Sequence, residues 1–217
     1  MNAHREHSQS PRMFESDFLD FFSRSHPITV PLLFGPGVAV LLAASLEKAQ
    51  LSLGNTTLLF ALGFVLWTLA EYWLHRLVFH WQGSSAWGKQ LHFLVHGVHH
   101  RWPHDRYRLV MPLGVSVPLY FGFLLLFLGV FERWGWGLHA GFVAGYAFYD
   151  LTHFWLHHGK PRSAYGRRLR RHHMLHHFKD SSAGFGVSNL VWDRVFGSTG
   201  TSAGRSVQRQ SERSISS

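Results

Sequence analysis

Fourteen histidines between His75 and His177, leaving His139 aside, fall largely into four clusters. They read His75-x4-His80, His96-x2-His99-His100, His153-x3-His157 and His173-x2-His176-His177. Neutral imidazole is a ligand for iron and zinc. Four clusters offer more nitrogens than one ion accepts, so the simplest chemistry is a two-metal site held almost wholly by histidine. A single histidine is more often an ordinary polar residue; it is the set that points to metal. Residues four apart share a helix face, so His153 and His157 reach one ion. In each His-x2-His-His triplet the second and third residues straddle the line through the first, which directs nitrogens to two ions side by side. His75 and His80 lie about 140° apart on an α-helix. Either each serves one ion, or the helix ends between them.

Other residues beside the clusters are candidates for supporting or substrate-side roles. They are His92, His158 and His172, with His104 just beyond. Metal-bound imidazole usually donates its second N–H to a carboxylate, a carbonyl or water. Glu71, four before His75, and Asp150, three before His153, are candidate acceptors; helix capping or an arginine partner is the alternative for each. Tyr107, Trp102 and Phe185 are placed to shape substrate access or to pack.

The elements that must position these residues are helices in a membrane. The fold class is all-α, an integral membrane protein of about four transmembrane helices. The apolar segments run over residues 28–46, 56–74, 112–131 and 137–156, each long enough for a hydrocarbon core of about 30 Å. Asp150 and His153 in the last are costly in lipid and so face the protein interior. Residues 1–27 form a polar N-terminus plus a short helix over 11–24. Its Phe14, Phe18, Phe21 and Phe22 share one face, either on the membrane surface or packed on the protein. The start lacks the order of a secretory signal. Residues 28–197 form the membrane domain. Residues 198–217, rich in Ser, Gly, Arg and Gln, are expected to be a disordered tail.

The formal charge is +9. Of 21 Lys+Arg, only Lys48 and Arg133 lie in the loops joining the first to the second and the third to the fourth segment. The others are in the N-terminal segment, the 76–108 segment and the tail after His157. This is the positive-inside pattern, which places the basic side in the cytoplasm and disfavours nucleic acid as partner. All clusters fall on that side, at a bacterial inner membrane or the endoplasmic reticulum. His139 falls on the far side and reads as incidental. There is no cysteine, which excludes disulfides, thiolate metal sites and Cys nucleophiles. Nothing specifies an oligomeric state.

Acyl chains offer little but C–H bonds, and a redox metal with O2 is what attacks those. Iron suits that task. Zinc fits the ligands but has no redox chemistry, and no His-Glu-x-x-His motif supplies a hydrolase base. A zinc transporter would place its ligands near the bilayer midplane, not at one end of the spans.

Three stretches carry a family resemblance: LHFLVHGVHHRWPHDRYRLVMP over 91–112, GYAFYDLTHFWLHH over 145–158 and HHMLHHFKDSSAGFGVSNLVWDRVFG over 172–197. With the histidine spacings they resemble the membrane fatty acid hydroxylase superfamily, which includes sterol desaturases. They are most similar to the fatty acid 2-hydroxylases, the sphingolipid alpha-hydroxylases. The resemblance spans roughly residues 71–197. It implies a four-helix base under a cytoplasmic cap. It implies a dimetal centre with ligands His75, His80, His96, His99, His100, His153, His157, His173, His176 and His177. The metal is two iron ions, with zinc possible as bound. The implied reaction is O2-dependent hydroxylation of carbon 2 of a fatty acid or of a sphingolipid N-acyl chain, by a non-haem di-iron monooxygenase that consumes electrons from a donor. Another lipid hydroxylase or desaturase of the superfamily, acting on a sterol, carotenoid or alkyl lipid, is the rival. Gly184-Phe185-Gly186 and Trp192-Asp193 favour the 2-hydroxylases. Longer members carry an N-terminal cytochrome b5 domain, for which the segment before Ile28 is too short. The expected donor is therefore a separate cytochrome b5 or ferredoxin. Arg167, Arg168, Arg170 and Arg171 could dock an acidic donor or bind anionic lipid head groups, the second reading being slightly preferred.

Overall fold

A computed structural model describes residues 12–81 and 83–200. Among these residues all regular structure is helical. Helix α1 is Asp17–Phe22, shorter than the predicted 11–24. Ser16 sets its start, since its Oγ accepts from the Leu19 N–H, and Ser23 ends it. Asp20 is the residue it buries, while Phe18 and Phe21 are 67% and 73% exposed. The predicted tail from residue 201 and the first eleven residues lie outside the described ones.

Helix α2 is Thr29–Ala43, prolonged by a π-helical turn over Ala44–Lys48. Helix α3 is Leu53–Trp73, started by the Ser52 side-chain cap and prolonged by a π-helical turn over Leu74–Phe79. Helix α4 is Ala86–His92; it runs on through a π-helical turn, Phe93–Gly97, into the α-helical Val98–Arg101. Helices α5, Leu113–Phe131, and α6, Gly135–His158, follow. Helix α7 is Ala164–Phe178 and α8 is Val191–Val195.

Three stretches have the length and apolar composition of a membrane span: Thr29–Lys48, Leu53–Phe79 and Leu113–His158. The third has 46 residues, and a straight helix of that length would measure about 70 Å, over twice the hydrocarbon thickness. A turn over Glu132–Trp134 breaks it, with Glu132 at φ 49°, and α5 and α6 fold back on each other. The four predicted apolar segments are thus four helices. The second continues past residue 74, because the π turn extends it to Phe79.

Helix α6 is central and packs against α2, α3 and α5. Its Gly137, Gly141 and Gly145 are spaced four apart and face α3. A Cβ on Gly141 would sit 1.9 Å from the Phe60 carbonyl oxygen, and one on Gly63 2.0 Å from that of Leu138. Backbones at such range need small residues, as membrane helix pairs often do. Trp67 covers Gly145 and packs edge-on against Phe142 and Tyr146. The tight α3–α6 crossing fixes where the two helices end, and the histidines begin at those ends. His139 is buried among Tyr120, Phe127 and Phe142, outside both histidine groups described below.

Candidate metal centre

The ten clustered histidines converge into two groups of five. One holds His75, His80, His96, His100 and His176; the other holds His99, His153, His157, His173 and His177. Within each group one nitrogen per residue lies within 4.8 Å of all the others. The groups adjoin: the His100 and His177 rings stack at 4.2 Å.

Local winding explains the allocation. His75 and His80 belong to the same group, which α-helical spacing does not give. The turn between them is π-helical, bonded i to i+5, and this brings the fifth residue back over the first, with ring centroids 5.0 Å apart. The triplets divide as their angular spread requires. His96 and His100 serve the first group and His99 the second; His176 serves the first, His173 and His177 the second. His153 and His157, four apart on α6, go to one group.

Distances fit a metal. Imidazole nitrogens about 2.1 Å from one ion, at angles of about 90–109°, lie about 3.0–3.4 Å from each other. In the first group Nε2 of His96 is 3.2 Å from that of His75 and 2.8 Å from that of His100, and His80 is 3.0 Å from His176. In the second, His99–His177 is 3.0 Å, His173–His177 3.1 Å and His157–His173 2.8 Å. His153 is 4% exposed and lies against the Leu109 backbone. A buried donor set of this kind suits a cation that accepts its lone pairs.

The electrostatics keep the rings neutral, as ligands must be. Burial first, and then the like charge that neighbouring imidazoles would carry, pushes His80 to about 4 and His100 to about 3. The same causes hold His96, His99, His173 and His177 well below the ordinary imidazole value, and burial lowers His176.

A loop after α7 orients the first group. His75 Nδ1 donates to the Phe185 carbonyl at 2.6 Å and His176 Nδ1 to that of Ala183 at 2.8 Å. Each leaves Nε2 facing inward. Asp193 pins the loop. It accepts from the Phe185 and Gly186 N–H groups at 3.0 and 2.7 Å and from Ser198, and it pairs with His172 at 3.0 Å. Burial works against this carboxylate's charge, but the bonds from His172, Ser198 and Gly186 outweigh it and hold its pKa low.

Here the structure departs from expectation. Glu71 does not accept from His75. It accepts from the Val187 and Ser188 N–H groups at 2.8 and 2.7 Å and from the Ser188 hydroxyl, so it anchors the same loop one step further out. Asp150 does not meet His153 either; it accepts from Tyr146 OH at 2.8 Å and from the Met111 N–H at 3.2 Å. A helix spacing of three or four says which face is shared, not which acceptor is nearer, and loop carbonyls got there first. His172 supports the centre through Asp193. His92 has a buried Nδ1 without a partner, and His158 lies against Phe154 with His104 beyond. Tyr107 lines a separate groove with Phe21, Phe22 and His26. Trp102 packs on Phe93 and Arg101. Phe185 is a wall of the first group, edge-on to His75, His80 and His176.

A cavity of about 450 Å³ reaches the centre. His96, His99 and His153 form part of its wall, and Leu94, Val110, Met111 and Val115 much of the rest. Met13, Phe14, Leu19 and Phe22, from α1 and the segment before it, also line it. Their place on this wall has no signal in the sequence. Asp20 holds α1 in place: it accepts from the Met13 N–H at 2.7 Å and bridges to Arg24 at 2.7 Å and to Arg108 at 3.2 Å.

The chain is similar to known proteins in sequence and in fold. A family model described as fatty acid hydroxylase matches residues 60–198. The dihydroceramide fatty acyl 2-hydroxylase FAH2 of Arabidopsis thaliana is 38% identical over 193 residues, covering 87% of this chain and 80% of that protein. The fatty acid 2-hydroxylase of Mus musculus is 34% identical over 215 residues, covering 89% and 58%. The solved structure of full-length Scs7p, in which only the hydroxylase domain is visible, superposes with a TM-score of 0.78 at 37% identity, covering 84% of this chain and 69% of that one. With two histidine groups beside an apolar cavity, on helices that superpose on a solved hydroxylase domain, the chain belongs to the fatty acid hydroxylase family.

Proposed function

We propose that this protein is a non-haem di-iron monooxygenase that hydroxylates carbon 2 of a fatty acyl chain, free or amide-linked in a sphingolipid. The observation that carries this reading is the cavity: three of the ten histidines form one wall and apolar side chains most of the others. Relatives named as 2-hydroxylases of fatty acids and of dihydroceramide acyl chains support this position and substrate class.

Iron held by His75, His80, His96, His100 and His176 on one side, and by His99, His153, His157, His173 and His177 on the other, would supply the O2 activation that the side chains cannot. One C–H, one O2, two electrons and two protons give C–OH and one water. The residues do the rest. Leu94, Val110, Met111 and Val115 would hold the acyl chain and exclude water beside the histidines. The carbonyls of Phe185 and Ala183 keep the Nδ1 protons of His75 and His176 turned outward. In this reading the four helices α2, α3, α5 and α6 each cross the bilayer, and the histidines lie at its cytoplasmic face. The electrons come from a separate donor.

The test is mass spectrometry of hydrolysed lipids from cells expressing the chain with a donor system, beside a His176→Ala control. Two-hydroxy fatty acids with the unaltered chain alone are the expected result. Hydroxylation at another carbon, or of a sterol, would overturn the assignment.

A further inference from the structure

We infer that the outer face of α7 is the docking surface for an acidic one-electron carrier, with Phe178 at its centre and Arg167 and Arg171 beside it. The inference rests on the proposed function, which requires two electrons from outside the histidine site.

Between residues 159 and 179 there are seven basic side chains and no acidic one. The helix has two faces. His173, His176 and Leu169 are turned inward and buried. One half-turn round, Arg167, Arg171, Leu175 and Phe178 are exposed, Phe178 at 65%. An aromatic and an aliphatic side chain among arginines have the composition of a protein interface, where aromatics and Arg are enriched and Lys is depleted. The location suits electron delivery. The Phe178 ring is 6.0 Å from that of His177, which belongs to the second group. A carrier seated on Phe178 is thus separated from the centre by one imidazole.

Anionic lipid is the competing source of negative charge, and the packing disfavours it. The inner face of α7 lies across the ends of α3 and α6, with His176 against His80 and His173 against His157. The opposite face therefore points away from the helices that span the apolar layer. Charge complementarity commits the surface to an acidic protein.

The full chain, zinc-loaded so that it cannot turn over, is placed in phosphatidylcholine nanodiscs. Binding of two acidic carriers is measured: the soluble haem domain of cytochrome b5 and a [2Fe–2S] ferredoxin. At least one should bind, more weakly as salt screens the contact. Arg167→Glu with Arg171→Glu should weaken it by about tenfold or more, the range of a lost interfacial charge contact, while the Lys pair at the same positions should retain binding. Failure of both carriers to bind, or equal binding by the Glu pair, overturns the inference. The lipid alternative is read from a single cysteine, Arg168→Cys, carrying an environment-sensitive dye. Emission that shifts to the blue when phosphatidylserine is added would assign the face to lipid and also overturn it. The reaction is tested apart from docking. Iron-loaded protein, reduced with dithionite and freed of excess reductant, is exposed to O2 for one turnover. Product there with the Glu pair keeps the proposed function whatever the carriers do; no product even from the unaltered protein would count against the function and leave the binding result standing.

Discussion

Asp193 touches none of the ten histidines that form the groups, yet much of the first group depends on it. It fixes Phe185 and Gly186, and the carbonyls of that loop fix His75 and His176. Acceptors of a metal-bound imidazole's second N–H, as those carbonyls are, typically contribute about 10- to 100-fold in metal affinity. Asp193→Asn should therefore weaken metal binding by that order, and the measurement is competition against a chelator of known affinity. Unchanged affinity would mean that the loop is held by Glu71 alone. The imidazoles themselves predict a pH response. His80 and His100, held to about 4 and 3 by burial and neighbouring imidazoles, stay neutral in the folded protein. In the unfolded chain they take up protons from about pH 6.5 downward. Below that pH the unfolded state binds more protons, so stability present above 6.5 is lost as pH falls toward 4 and then 3. Metal-free protein in detergent should melt at a progressively lower temperature from pH 7 to pH 5, followed by tryptophan fluorescence. A flat melting profile over that range would contradict the burial of these rings.

Helix winding, more than residue type, decides which histidine serves which group. The π turn over Leu74–Phe79 brings His75 and His80 together. Deleting Val78 would leave them four apart on a plain α-helix, still on one face. Inserting alanine after Val78 would leave them six apart and on different sides. Metal content should survive the deletion far better than the insertion, as metal-to-protein ratios would show. The crossing of α3 and α6 makes a second demand. Gly141→Ala places a methyl against the Phe60 carbonyl and should cost about 1–3 kcal/mol, the usual range for overpacking. Gly129→Ala on α5 meets nothing within 4 Å and should leave the melting temperature unchanged or raised. Both features bear on what a sequence can disclose. The His153/His157 pair and the divided triplets follow from α-helical angles, and the helical hairpins follow from hydropathy. The Gly137-x3-Gly141-x3-Gly145 repeat stands in the sequence only as a pattern of small residues, without the helix it faces. The π turns, the anchoring of the 187–188 loop by Glu71 and the lining of the cavity by α1 are not legible there. Each depends on contacts between segments far apart in the chain, on which local periodicity is silent. Tyr107, expected to shape substrate access or to pack, is near the histidines in sequence but lines a groove with Phe21, Phe22 and His26.

Across the whole molecule the charge asymmetry predicts a topology that can be measured directly. The chain has no cysteine, so one introduced thiol reports without background. Gln50→Cys lies in the turn between α2 and α3, and Lys160→Cys between α6 and α7. With α2, α3, α5 and α6 all crossing, a membrane-impermeant maleimide should label Gln50→Cys in intact cells and Lys160→Cys only after permeabilisation. Labelling of both from one side would remove a span.

The two histidine groups draw on α3, α4, α6 and α7, so one ion would tie together segments about a hundred residues apart in the chain and the other segments nearly eighty apart. Binding energy at such a site is also folding energy. On the proposed di-iron reading, iron supply would govern how long the protein survives, not only how fast it works. Copies synthesised during iron scarcity would expose the segments around residues 80–105 and 160–190 to proteases while the helical base stayed intact. Cells starved of iron should accumulate clipped protein, and a pulse of iron given before the protease arrives should prevent it.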